Sequence, residues 1–382
     1  MPRTAALFTY PWDLADEGVD RAAARIKELT GIREVQLATS YHISTYFLPH
    51  NPKRKVYFGE DGMALWKPEA ERYEKLSLKP RVSELVTGDD YYGDLVRGIR
   101  KGGLDYGAWM VYCYNHHLAR TRPDCARADV FGNANRAQLC PGNPAVRDYA
   151  RVMTEEVLDR FKPSTVFLES LGYLPFSYGF LNPKVFVEIT PRDQFLLGLC
   201  FCSHCVRAAA KSGMAAAAFG ADLARDLTDR LARNPKPEEK GPVTDVWLSE
   251  ALDGRLAHYL AARTASATSL YEELAALCHA RGARTMDFLP GNEPVSGQNA
   301  DRVARAGDQF CIDGSHNGTE LSKRWPNKEF LYSAQPADMT PDLRARCAAA
   351  IASGAHGFTF YNYGLVRDEN LRHIGAARDL WA

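Results

Sequence analysis

Long hydrophobic runs are missing from this 382-residue chain. No stretch approaches the roughly 20 apolar residues that cross a bilayer. The start, Met1-Pro-Arg-Thr-Ala-Ala-Leu-Phe8, has no apolar core of the signal-peptide kind. A cytoplasmic location with no membrane partner is expected. Surplus charge is missing as well: 47 Lys+Arg stand against 47 Asp+Glu. A dedicated nucleic-acid binder needs a basic excess, at least locally, so no nucleic-acid partner is expected. No strand-to-helix turn carries G-x-G-x-x-G or G-x-x-x-x-G-K-[ST], which excludes the usual phosphate cradles, and no organic cofactor is expected. No G-x-S-x-G frames a serine nucleophile. A second C-x-x-C is absent, and the nine cysteines are an odd, irregularly spaced set apart from one cluster. Most should be reduced, buried thiols.

What is present is a soluble globular composition, 46% hydrophobic and 25% charged. Strand-like runs occur at 4–10, 34–39, 106–114, 165–168, 284–288, 309–312, 330–333 and 356–361. Helical periodicity fills most intervals: 19–29, 92–102, 144–161 with Asn143 as N-cap, 219–231, 246–282, 301–306, 341–353 and 369–381. Eight strands alternating with helices predict an α/β fold, a (β/α)₈ TIM barrel. It is expected as a single barrel domain over 1–382, with an inserted loop after strand 2 (about 47–86) and a helical insertion after strand 4 (together with its loop, about 174–275). A doubly wound open sheet is the alternative. Within the first insert, Val56-Tyr-Phe58 before Gly59-Glu-Asp-Gly62 reads as a small hairpin, and Lys53-Arg-Lys55 as its solvated edge. The Ala-rich helices of 215–275 are a possible homo-oligomer surface.

In such barrels active sites lie at the carboxyl ends of the strands. Glu169 ends the apolar run Thr165–Leu168, and a charge there is costly unless it faces a cleft or a partner. The other strand ends carry Trp12, Tyr41, His42, Asn115, His116, His117, Asp287, Asp313, Gln335, Tyr361 and Asn362, with Tyr173 in the loop after Glu169. Aromatics beside carboxylates, amides and His suit a sugar, whose ring faces stack and whose hydroxyls need polar partners. Glycoside hydrolysis needs two carboxyl groups flanking the bond. Glu169 with Asp313 is the expected catalytic pair, with Asp287 between them able to take either role. Adjacent residues point to opposite faces, so only one of His116 and His117 should reach the site. A sugar isomerase or lyase using His and a carboxylate, and a non-catalytic carbohydrate-binding barrel, are the alternatives.

Cys200-Phe-Cys202-Ser-His-Cys205 places three thiols within six residues. Zinc takes four S or N ligands. The fourth could be Cys140, Cys125, His204 or Cys113, and a fully cysteine-ligated site would be structural.

These pieces resemble the barrel glycoside hydrolases of the α-amylase-like and β-galactosidase-like superfamily. The resemblance lies in Arg54-Lys-Val-Tyr-Phe-Gly-Glu-Asp-Gly62, Cys140-Pro-Gly-Asn-Pro-Ala-Val-Arg147, Phe167-Leu-Glu-Ser-Leu-Gly-Tyr173 and Leu199-Cys-Phe-Cys-Ser-His-Cys205. It implies a glycosidase acting on an oligosaccharide or glycoside. Zinc-bearing β-galactosidases similarly carry Cys-x-Cys-x-x-Cys after the fourth strand and one earlier Cys, which implies Cys140 or Cys125 as fourth ligand. Their acid/base Glu maps to Glu169, but here Leu168 precedes it, and no carboxylate ends the seventh strand. The acids on strands four and six look instead like the α-galactosidase type, which implies Glu169 as nucleophile and Asp313 as acid/base.

Overall fold

The computed structural model describes residues 3–382. Eight parallel strands form the barrel: β1 (Thr4–Thr9), β2 (Glu34–Tyr41), β3 (Asp105–Val111), β4 (Thr165–Glu169), β5 (Arg284–Phe288), β6 (Gln309–Ile312), β7 (Glu329–Ala334) and β8 (Gly357–Phe360). Each pairs in parallel with its sequence neighbour, and β8 returns to β1 with Thr4 opposite Gly357 and Leu7 opposite Phe360. The sheet is closed, as expected for a (β/α)₈ barrel. Its strands are buried on both faces, which is why they read as apolar runs without alternation.

The barrel interior is layered. Glu34, Thr165, Arg284, Gln309 and Glu329 meet at the amino-terminal end, with Arg284 paired to Glu329 at 2.8 Å. Above them Phe8, Trp109 and Phe167 pack edge to face, with centroids 5.1 Å apart. The helix Pro144–Phe161 is present with Asn143 capping Ala145, as its sequence signals predict.

Several local expectations need correction. The strand Val56–Phe58 pairs backwards with Thr45–Phe47, so the hairpin turn holds the basic cluster and not Gly59–Gly62. Lys53 and Lys55 are exposed on the hairpin, as expected of its edge, but Arg54 is half-buried. The Arg54 guanidinium donates to buried Asp16 at 2.9 Å, and Lys55 Nζ donates to the carbonyls of Pro49 and Asn51. Asp16 lies on the short helix Pro11–Glu17, which sequence periodicity missed because seven residues are too few to show it. The helix expected over 246–282 breaks at Leu252-Asp-Gly254, all three at positive φ, and resumes as Arg255–Ala280. Between β6 and β7 lies Gly318–Arg324, whose start is signalled by Asn317 accepting from the Glu320 N–H.

The segment between β4 and Arg255–Ala280 builds its own apolar cluster, including Phe195, Leu199, Phe219, Leu223, Leu256 and Tyr259. The main core is continuous around the barrel.

Candidate active site at the barrel mouth

Glu169 is the last residue of β4. It shares a face with Thr165 and Phe167, which alternate toward the barrel axis. The strand stops there because Ser170 takes φ 64°, a left-handed conformation. That conformation costs a non-glycine residue about 1 kcal/mol or more. The backbone past β3 holds the turn: Tyr112 N–H donates to the Glu169 carbonyl at 3.1 Å and Cys113 N–H to that of Ser170 at 3.0 Å.

Trp109 of β3, paired directly with Phe167, donates its indole Nε1–H to Glu169 Oε2 at 2.6 Å. Glu169 Oε1 has no hydrogen-bond partner among the described residues and is not closed off from solvent. Burial pushes the Glu169 carboxyl up to about 7, against the opposing pull of the Trp109 hydrogen bond. No cation acts on it.

Aromatic rings enclose this carboxyl. Trp109 lies 4.8 Å from Tyr41, 5.3 Å from Tyr10 and 5.8 Å from Tyr361, centroid to centroid. The hydroxyls of Tyr10, Tyr41 and Tyr361 form a triangle with sides of 3.1, 2.7 and 3.2 Å. Burial first, and the Glu169 charge among the further causes, raises the phenols of Tyr41, Tyr114, Tyr178 and Tyr361. His42 stacks on Tyr41 and Tyr114, and burial lowers it to about 4, so it is neutral at pH 7.

Asp287 is buried at the end of β5, next to Phe288, whose ring packs on Phe167. Strand alternation therefore turns Asp287 to the opposite face from Phe288. Burial raises its carboxyl well above the usual range, the Phe288 N–H opposes this, and the Glu169 charge adds to it. Asp313 is exposed just past β6, where the N–H of Ser315 and a ring nitrogen of His316 hold it at 2.8 and 2.9 Å. Those bonds, Ser315 first, keep it ionised below the usual carboxylate range. Asp313 does not touch Glu169. It lines a crevice with Tyr332 and Arg346.

Other anticipated residues are placed elsewhere. Trp12 is fully buried under the hairpin, against Tyr46 and Tyr57. Asn115 caps the helix His116–Thr121 by accepting from Leu118 N–H at 2.9 Å. His116 lines a cavity of about 500 Å³ behind the 176–183 loop, and His117 faces the Asp61–Arg120 pair. Gln335 caps the turn Pro336–Asp338 on the surface, and Asn362 is buried with its Oδ1 bound to Gly364 N–H. Trp109, Tyr10, Tyr114 and Tyr178 are the mouth residues that strand-end counting missed. A tryptophan inside a buried strand was a usable signal, since its N–H needs an acceptor.

No family model matches the chain, and no curated protein matches it by sequence. Solved structures do match. A β-galactosidase from the psychrophilic Marinomonas ef1 aligns over 98% of this chain with TM-score 0.57 and 10% identity. This chain spans only 59% of that protein's length, and 57% of a Halorubrum lacusprofundi β-galactosidase. The glycoside hydrolase domain of PgaB (BpsB) from Bordetella bronchiseptica aligns over 100% of this chain and 99% of its own, with TM-score 0.57 and 10% identity. The catalytic domain of a Paenibacillus polymyxa β-amylase covers 96% and 94%, with TM-score 0.52 and 12% identity. The chain shares the (β/α)₈ barrel fold of these proteins.

In this barrel the four thiols of Cys140, Cys200, Cys202 and Cys205 converge within 4.8 Å of one another. The Sγ of Cys140 lies 3.8, 3.5 and 3.5 Å from those of Cys200, Cys202 and Cys205. A tetrahedron of thiolates at about 2.3 Å from a metal has S–S edges of about 3.8 Å, so the set could bind a metal. His204 points away to Arg207, and Cys125 bonds Asp124 instead. Tyr173, expected at the mouth, belongs to this cluster: its hydroxyl is 3.2 Å from Cys205 Sγ, and Arg263 lies 3.9 Å over its ring.

Proposed function

We propose that the protein is a glycoside hydrolase in which Glu169 is the general acid. The observation that carries this reading is a carboxyl at the carboxyl end of β4, raised to about 7 by burial, with one oxygen bonded to Trp109 and the other without a partner among the described residues. A group with that value is about half protonated at neutral pH, and its protonated form can deliver the proton to a departing glycosidic oxygen. This reverses the role implied by likeness to α-galactosidases, because a nucleophile must be ionised. Asp313, kept ionised by Ser315 and His316, is the second carboxyl in this reading and activates water or attacks the anomeric carbon. Asp287, buried on the opposite face of its strand from Phe288, takes no part in the transfer in this reading. The half-buried Tyr361 and the exposed Tyr178 form the wall on which a sugar ring stacks.

The substrate in this reading is an oligosaccharide or glycoside, acted on in the cytoplasm. A reducing compartment suits nine cysteines that form no disulfide. The Cys140, Cys200, Cys202, Cys205 set holds structural zinc, which would pin the loop after β4 and take no part in the chemistry.

Turnover of a panel of aryl glycosides and oligosaccharides tests the assignment. Glu169→Gln should lower kcat/KM by about 10²- to 10⁴-fold, and Asp313→Asn by a comparable factor. Near-normal turnover in Glu169→Gln would sink the role.

A further inference from the structure

We infer that Trp109 is a positioning residue that decides which oxygen of Glu169 carries the transferable proton. The inference deepens the acid reading above and depends on it. Trp109 can only donate through Nε1, and it does so to Oε2 at 2.6 Å. In a neutral carboxyl group the C=O oxygen is the better acceptor, so the indole selects Oε2 as the carbonyl oxygen. The proton is then confined to Oε1. That oxygen has no partner among the described residues and is not closed off from solvent.

The indole itself cannot drift. Phe8, Tyr10, Tyr41 and Tyr361 surround it with centroid distances of 5.1, 5.3, 4.8 and 5.8 Å. Its backbone is locked in register with β4, Trp109 opposite Phe167 and Val111 opposite Glu169. Acid and donor are therefore fixed by one strand pair.

The step balances as follows. The Oε1 proton moves to the glycosidic oxygen, and the bond from that oxygen to the anomeric carbon breaks with its electron pair on the departing oxygen. Water supplies the new oxygen, and its proton passes to the second carboxylate. Glu169 becomes a carboxylate, and the Trp109 bond to Oε2 strengthens because its acceptor is now charged. An interaction that grows along the reaction lowers the barrel's activation barrier rather than tightening substrate binding.

Groups facing the Glu169 carboxyl are Tyr41 from β2, Trp109 and Tyr114 from β3 and its extension, Tyr178 from the following loop and Tyr361 after β8, while Asp287 of β5 lies on the opposite face of its strand. Trp109 is the sole hydrogen-bond donor to the carboxyl among the described residues. Removing it should therefore raise the Glu169 pKa, since the bond favours the charged form.

The test uses Trp109→Phe, which keeps an aromatic ring among the four neighbours. Glu169 titration is read by carbon-13 NMR of the carboxyl, assigned by its loss in Glu169→Gln, beside the pH profile of turnover. Both the titration and the basic limb should move up by about one pH unit. At pH values below the limb, kcat should fall about tenfold with KM nearly unchanged. A purely structural Trp109 would lower activity without moving either midpoint, and that outcome overturns the inference. If Trp109→Phe does not fold, full replacement of tryptophan by 5-fluorotryptophan keeps the shape and strengthens the donor. The limb should then move down, and an unmoved limb overturns the inference. Near-normal turnover in Glu169→Gln overturns the acid reading and this inference together. An unmoved titration in Trp109→Phe beside an inactive Glu169→Gln overturns this inference alone.

Discussion

A carboxyl group that holds its proton to about pH 7 changes how both rate and stability respond to pH. For rate, the active form is protonated, so kcat should fall as pH rises through about 7, and a pH profile of wild type checks this. For stability, the folded value near 7 lies above the ordinary value of 4.5. Between the two, the folded protein holds a proton that the unfolded chain has released. The Glu169 contribution is therefore fully present below about 4.5 and is lost as pH rises through about 7. Urea unfolding of wild type and Glu169→Gln at several pH values should show wild type losing ground to the variant between pH 5 and 8. Parallel curves would mean that burial does not perturb this group. Glu169 was visible in the sequence as a charge ending an apolar run. Its indole partner was not, because Trp109 lies sixty residues earlier and meets it only through the β3–β4 register.

Two elements brace the mouth, and each can be released separately. The hairpin 45–58 rests Tyr46 and Tyr57 on Trp12 and is tied down by Arg54 to Asp16. Arg54→Ala should raise KM several-fold with little change in kcat, and limited proteolysis should then cut within 48–55. The loop after β4 is rooted in the cysteine cluster through Tyr173 and Arg263. If zinc holds that cluster, purified protein should contain one equivalent. Cys140→Ser should lose it and melt several degrees lower, by emission metal analysis and calorimetry. All eight strands were legible as elements, because strands buried on two faces leave continuous apolar runs. The short helices Pro11–Glu17 and Gly318–Arg324 were not, since periodicity needs more than two turns to stand out. The strand-end inventory over-counted the site for a related reason. It assumes that every strand-end side chain faces the mouth, whereas Trp12 turns under the hairpin and Asn115 caps a helix.

At the scale of the molecule, the charge pattern selects among sugars. The chain is neutral overall, and its mouth is lined by phenols, indole and a neutral imidazole, with no cation acting on Glu169 or Asp287. A uronate or sialate would bring a carboxylate to these acids with nothing to balance it. Neutral glycosides should accordingly exceed the matching uronides in kcat/KM by about 100-fold or more, and paired substrates of one ring configuration check this. The closed strand order has a consequence for the chain as a topological object. Because β8 pairs with β1 and Arg3 donates to the Leu380 carbonyl at 3.1 Å, Arg3 and Leu380 are neighbours in space. The strands form a ring with no privileged first member. A permuted gene, opened in the exposed stretch 233–243 and joined across the old ends by a short glycine linker, should yield the same barrel with the same pH midpoint.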